Sequence, residues 1–267
     1  MKSLNVFLMA IAMFLCAGQI EAQDLTMGEA INKAGRQRML SQKMAKCYMM
    51  IGSNVKASKA LPELDAAMSL FEEQFLELED FSPSAKVGKA LGEVYELWVP
   101  FRIKILEEAN QQKAASIISE STELLKRCND VVVELEAHAK TKAAGLVNMA
   151  GRQRMLSQRI AMLYLAYAWE VPNGEILKNF EKSKTEFEEA LITLSASELN
   201  TAEITKALAR VGSQWDFSKM TFDVKRGRLM PSVITVTANS MLKKMNNITG
   251  MYAKVADNGN SASTKTR

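Results

Sequence analysis

Ala34-Gly35-Arg36-Gln37-Arg38-Met39-Leu40-Ser41-Gln42 returns letter for letter as Ala150-Gly151-Arg152-Gln153-Arg154-Met155-Leu156-Ser157-Gln158. The match spreads outward more loosely at one offset of 116 residues, pairing Asn32 with Asn148, Ala45 with Ala161 and Tyr48 with Tyr164. The chain is therefore a tandem duplication, and the two copies define two modules.

Placed on a helix at about 100° per residue, the block divides into two faces. Leu40, Met44, Cys47, Tyr48 and Ile51, repeated as Leu156, Ile160, Leu163, Tyr164 and Tyr167, form an apolar stripe suited to a bundle core. The other face carries Ala34, Gly35, Arg38, Gln42 and Ala45, repeated as Ala150, Gly151, Arg154, Gln158 and Ala161. Small residues let a second helix approach closely, and an arginine among them loses water unless something accepts its five donors. The block has no carboxylate of its own, and an uncompensated buried charge costs several kcal/mol. An anion held between two such helices would satisfy it.

Working outward, helix formers dominate, β-branched alternation is scarce, and Pro and Gly fall where helices should end. The pattern predicts an all-α chain. In the first module helices run over about 25–53, 61–81 and 87–111, the last kinked at Pro100; in the second, over about 175–195, 201–224 and 232–256. Phe71-Glu72-Glu73 matches Phe187-Glu188-Glu189, and with one inserted residue Trp98 matches Trp215 and Leu125-Lys126 with Asn129 matches Leu242-Lys243 with Asn246. Each module thus reads as an up-down four-helix bundle. The domains are a signal peptide over 1–22, bundles over 23–140 and 141–256, and an unstructured tail over 257–267. From Ala114 to Glu170 there is no Pro and, outside the motif, only Gly145. That absence favours one long continuous helix joining the bundles end to end.

Residues 1–22 have the build of an export signal: Lys2, an apolar run from Val6 to Phe14, and Ile20-Glu21-Ala22 as the cleavage site. Cys16 lacks the small residues expected before a lipidated cysteine, so the exported chain is expected to be soluble and periplasmic. No later stretch approaches the 18 or more apolar residues of a membrane span. A net charge of +4 with interleaved Lys and Glu argues against nucleic acid. Cys47 and Cys128 correspond to Leu163 and Met245, which points to two free core thiols rather than a bridge. His138 corresponds to Val255, and no Cys/His cluster, nucleophile elbow or phosphate loop is present. No enzyme activity, metal or cofactor is expected.

The stretch from Ile31 to Lys46 resembles the opening helix of the PilJ-type sensory domain, the N-terminal domain of type IV pili methyl-accepting chemotaxis transducers, and the second motif repeats the resemblance. Asn32, Gly35, Arg38 and Met39 are also similar to the Asn-x-x-Gly-x-x-Arg-Met stretch of NarX-like nitrate/nitrite sensors. That resemblance implies a four-helix bundle whose motif arginines, here Arg38 and Arg154, meet across an interface and hold one small oxyanion, with Gly35 and Gly151 beside it. Asn32, Asn148, Ser41, Ser157, Gln42 and Gln158 either add neutral donors to an anion shell or, slightly favoured, set helix packing through inter-helix hydrogen bonds; Arg36 and Arg152, toward the flank of the core face, are weaker candidates. The sensors have flanking membrane helices and a signalling domain, neither of which is seen here, so a membrane sensor or transducer partner would carry the signal.

Two readings follow. In the first, the chain is an exported sensor binding a small nitrate- or nitrite-like anion. Stacked modules would then need a homodimer to pair each arginine, whereas modules lying side by side would complete the site in one chain. In the second, Arg38 and Arg154 only fix helix register through Glu72, Glu73, Glu188 or Glu189. The small-residue stripe then docks on a membrane transducer, pilus or envelope component.

Overall fold

The computed structural model describes residues 25–224 and 228–264. The expected export signal over 1–22 lies outside them. Helices α1 (Met27–Gly52), α2 (Ala57–Phe81), α3 (Ala85–Lys104) and α4 (Gln111–Ala139) form the first bundle, and α5 (Lys142–Ala168), α6 (Ile176–Ser195), α7 (Ala202–Ser218) and α8 (Pro231–Thr264) form the second. There is no strand among the described residues. Within the first bundle α1 packs on α2 and α4, and α3 on α4; α5 packs on α6 and α8, and α7 on α8, in the same pattern.

Side chains with clear local roles start and stop these helices. Thr26 and Glu29 form a capping box on α1, while Asn110 and Thr201 cap α4 and α7 through their side-chain oxygens. α3 ends at Lys104, seven residues short of the expected Gln111, because Asn110 accepts from the Lys113 N–H at 2.9 Å and begins a new helix there. Each bundle core holds one aromatic pair at equivalent positions, Phe71 with Trp98 at 4.2 Å and Phe187 with Trp215 at 4.4 Å. Tyr48 donates to the Glu108 carbonyl and its counterpart Tyr164 accepts from the Met230 N–H, each pinning the loop before its bundle's last helix.

The single long helix joining the bundles is not formed. α4 stops at Ala139, Lys140 takes a left-handed conformation with φ 53°, and the Thr141 side chain accepts from the Ala144 N–H to start α5. A non-glycine residue rarely adopts that φ, so no breaker residue marks the turn. The chain reverses there, and the modules lie side by side rather than end to end. α1 and α5 pack against each other along their length and form the centre of the molecule. Gly35 lies opposite Gly151 and Gly52 opposite Trp169, pairings at nearly the same offset, so the two central helices run parallel. The small-residue face serves this contact: Ala34, Gly35, Ala150 and Gly151 are buried.

The last helix continues past its expected end at Ala256 into the segment read as an unstructured tail. Asp257 explains part of this: its carboxylate accepts from the Gly28 N–H at 2.9 Å and from the Thr26 hydroxyl at 2.9 Å. An acidic group at a helix N-terminus satisfies orphan donors and complements the helix dipole. Replacing Asp257 by Ala is expected to lower stability by about 1 kcal/mol and to raise amide exchange at Gly28. Unchanged exchange would show that α8 does not hold the start of α1.

Candidate functional site

The centre of the molecule is built by the duplicated block acting on itself. Arg38 on α1 and Arg154 on α5 are 1% and 0% exposed and are the two largest fully buried side chains. A helical side chain leans toward the N-terminus of its helix, and with parallel helices each arginine can reach the earlier turns of its sister. Arg38 Nη2 donates to the Asn148 carbonyl at 3.2 Å, and Arg154 Nη2 to the Asn32 carbonyl at 2.9 Å. Each also turns to its own bundle: Arg38 Nη1 donates to Asn129 Oδ1 at 2.8 Å, Arg154 Nη1 to Asn246 Oδ1 at 3.0 Å. Asn32 and Asn148 depart from the symmetry, since Asn32 Oδ1 accepts from Arg154 Nη1 while the Asn148 side chain donates to Glu136.

The glycines make this convergence possible. A Cβ on either Gly35 or Gly151 would lie 3.3 Å from both Arg38 Nη2 and Arg154 Nη2, and within 3.9 Å of the other glycine's Cα. The two guanidinium groups therefore share one small space over the glycine pair.

That space is electrically unbalanced. Every hydrogen-bond partner of the two guanidinium groups is a neutral oxygen, and the ion pairs among the described residues do not include them. The Nε atoms of both are buried without a partner. Burial, then the charge of Arg152, lowers Arg38 to about 10; burial, then Arg36 and Arg38, hold Arg154 well below the ordinary arginine value. A guanidinium group is not deprotonated in a folded protein near neutral pH, so both are treated as cations. Two adjacent buried cations, each with a spare donor, leave positive charge that no hydrogen-bonded carboxylate balances.

The remaining candidates separate into two groups. Asn32 and Asn148 stand at the arginines. Ser41 and Ser157 instead donate to the Arg38 and Arg154 carbonyls, and Gln42 and Gln158 to the carbonyls of Ser121 and Ala238, which braces each motif helix within its own bundle. Arg36 reaches Asn246 at 3.5 Å, and exposed Arg152 pairs with Glu186 at 2.7 Å. Of the carboxylates considered as alternative partners, Glu72 pairs with Arg102 and Glu188 with Lys219, and none of the four hydrogen-bonds Arg38 or Arg154. Sequence reasoning passed over Asn129 and Asn246 as functional residues, although their recurrence in the repeat was the available signal. It also passed over Arg159, which donates to Gln42 Oε1 at 3.0 Å and Thr122 Oγ1 at 3.2 Å.

The model of the family described as type IV pili methyl-accepting chemotaxis transducer N-terminal domain matches residues 21–124 and again 137–225, more than half of the chain. The chain belongs to the PilJ family. No curated protein and no solved structure gives a significant match. Each PilJ match contains one motif copy, so Arg38 and Arg154 both lie in matched sequence, while Asn129 and Asn246 lie outside it. Among the described residues no helix is long and apolar enough to cross a membrane.

Two features of this PilJ chain bear on how the site is used. Because α1 and α5 bury their small-residue faces against each other, that stripe is not a surface on which another protein can dock. Arg38 and Arg154 meet within one chain, so the pairing of motif arginines expected across a homodimer forms here between its two halves.

Cys47, on the motif helix α1, and Cys128, on α4, are both free and buried. Burial pushes the Cys47 thiol from its ordinary 9.0 up to about 12 and the Cys128 thiol higher still. A raised thiol pKa means that the folded chain keeps a proton which the unfolded chain releases. Stability present below pH 9 is therefore lost as pH rises toward 12, at about 1.4 kcal/mol per pH unit for each thiol. Denaturant titrations at pH 8, 9 and 10 should show this fall, and Cys47→Ala should remove about half of it. An unchanged slope would show that the thiols are not the cause.

Proposed function

We propose that the chain is an exported, periplasmic sensor domain that binds one small inorganic anion between Arg38 and Arg154 and passes the signal to a separate membrane transducer. The observation that carries this is the pair of fully buried guanidinium groups converging on Gly35 and Gly151, each with an unpartnered Nε and no carboxylate partner. A planar oxyanion has the charge and the acceptors such a space lacks. The PilJ match supports a sensory role, and the likeness of the motif to nitrate sensors favours nitrate or nitrite as the ligand. The export signal read over 1–22 supports the location.

Arg38 and Arg154 are the charge-bearing ligands, Gly35 and Gly151 supply the space, and Asn32, Asn148, Asn129 and Asn246 hold the guanidinium planes. Calorimetric titration of the chain from Gln23 onward with nitrate, nitrite and sulfate tests this. One anion per chain, lost in Arg154→Ala, is the expected result. Two equivalent sites per chain, or binding indifferent to Arg154, would refute a shared central site.

A further inference from the structure

The duplication creates two grooves, one on each flank of the central helices, and they have diverged. On one flank, Lys46 Nζ lies 2.9 Å from Glu63 Oε1 and 2.7 Å from Asn239 Oδ1, while Lys43 Nζ lies 3.4 Å from the same Glu63 oxygen. These contacts tie α1, α2 and α8 together and close that side. The repeat places Met162 where Lys46 stands, Asn179 for Glu63, Thr122 for Asn239 and Arg159 for Lys43. One cation is thus retained on the other flank, and the carboxylate at the Glu63 position is gone, which leaves Arg159 only the more distant charge of Glu186, itself paired with Arg152.

That second flank is an open groove of about 550 Å³ between α4 and α6, floored by α5, with Arg38 at its inner side. A volume in this range suits a small organic molecule and far exceeds what nitrate needs. The groove's own carboxylates are engaged: Glu123 with Lys126, Asp130 with Arg127, and Glu186 with Arg152. Arg159 has only the neutral oxygens of Gln42 and Thr122. Arg38, inside, retains its unpartnered Nε. Met155 and Leu156 of the floor and Leu125 of the wall put an apolar stretch in the same groove.

We propose that this groove binds a short organic dianion of the dicarboxylate class, with one carboxylate replacing the missing Glu63 equivalent at Arg159, the chain over Met155 and Leu156, and the other carboxylate at Arg38. The proposal rests on the reading that Arg38 is an anion ligand, and it extends that site from an inorganic ion to a larger molecule. An organic diacid gains from both cations and from the apolar floor, whereas a monoacid of equal length gains from one cation only. The residue that decides this specificity is Asn179, because a glutamate there would neutralise Arg159 as Glu63 neutralises Lys43.

The test is calorimetric titration of the chain from Gln23 onward with succinate, glutarate and adipate, with butyrate and pentanoate as monoacid controls and nitrate as the inorganic probe. At least one diacid is expected to bind tenfold or more tightly than its monoacid control. Arg159→Gln and, separately, Asn179→Glu should erase that preference while changing nitrate affinity less than twofold; Arg38→Gln should weaken both ligands. Asn179→Glu copies a residue that the sister groove already accommodates, so it tests the idea even if Arg159→Gln fails to fold. Diacid binding unaffected by either groove substitution would overturn the proposal. So would nitrate binding without diacid binding, which leaves the central arginine site intact. Diacid binding that needs Arg159 but ignores Arg38 would overturn the spanning arrangement, and nitrate binding that also ignores Arg38 would overturn the central-site reading with it.

Discussion

The double variant Arg38→Met, Arg154→Met is expected to melt above the unaltered chain in buffer free of small oxyanions, and below it at saturating nitrate. Two guanidinium groups lie fully buried, close to each other and without a carboxylate. Their hydrogen bonds to Asn129, Asn246, Asn32 and two helix carbonyls offset part of the desolvation cost, and Glu136 acts on Arg38 only from beyond hydrogen-bond distance. Replacing buried charges by apolar side chains of similar length often gains about 1–4 kcal/mol. Here the stranded asparagine side chains hold the gain to the lower part of that range. For a chain of this size each kcal/mol is about 2–4 °C of melting temperature.

Nitrate reverses the order. At about 100 times its dissociation constant a ligand adds about 2.7 kcal/mol to the state that binds it, and the methionine variant has nothing to bind it with. Differential scanning calorimetry with and without nitrate, at matched ionic strength, reads both signs in one experiment. A variant that melts lower in both conditions would mean that the arginines are structural and that their neutral partners suffice. The single variants should fall between, because either remaining guanidinium is relieved of its like-charged neighbour.

Much of this site is legible in the amino-acid sequence, for identifiable reasons. An identical nine-residue block points to contact on most of its sides, and in both copies every residue of it but Arg36 and Arg152 is buried. The split of that block into an apolar face and a small-residue face with one arginine points to both contacts of α1: its own bundle and the sister helix. The aromatic pairs are legible as core because Trp98 and Trp215 recur at apolar positions.

What escapes is decided by single residues whose local signal is weak or misleading. The chain reverses at Lys140, where neither Gly nor Pro stands and only the N-cap Thr141 marks the new start, so the modules read as stacked when they are paired. Asp257 sits in a polar segment that resembles a tail, and its value lies in meeting Gly28, more than two hundred positions away. Sequence proximity directs the arginines to the glutamates on α2 and α6. The asparagines that hold the guanidinium groups lie instead on the fourth helix of each bundle and on the opposite motif helix, a pairing that only the side-by-side arrangement creates. Arg159 reads as ordinary because Lys43 matches it in charge; the difference lies in the loss of the glutamate at Asn179.

Substitution at the glycine pair should separate helix packing from anion binding by size alone. Alanine in a helix is favoured over glycine by about 1 kcal/mol. Against this, its Cβ at position 35 would sit 3.3 Å from both Nη2 atoms, so each guanidinium group must retreat by a few tenths of an ångström. The two effects nearly cancel in stability, and Gly35→Ala is expected to melt close to the unaltered chain. Binding has no such compensation, because the displaced groups no longer converge, and nitrate affinity should fall about tenfold or more, about 1.4 kcal/mol. Gly35→Val crosses a second threshold. Its γ-carbons would enter the space that the guanidinium groups occupy and press on the backbone of Gly151, whose Cα is only 3.9 Å from the Cβ position. The central helices must then separate, and a loss of about 3 kcal/mol is expected, in the range of severe overpacking. Paired measurements of melting temperature and nitrate affinity for the alanine and valine variants at both positions would show the two thresholds. If alanine lowered stability as much as valine, or left nitrate affinity unchanged, the glycines would be serving helix contact alone and the ligand would not lie over them.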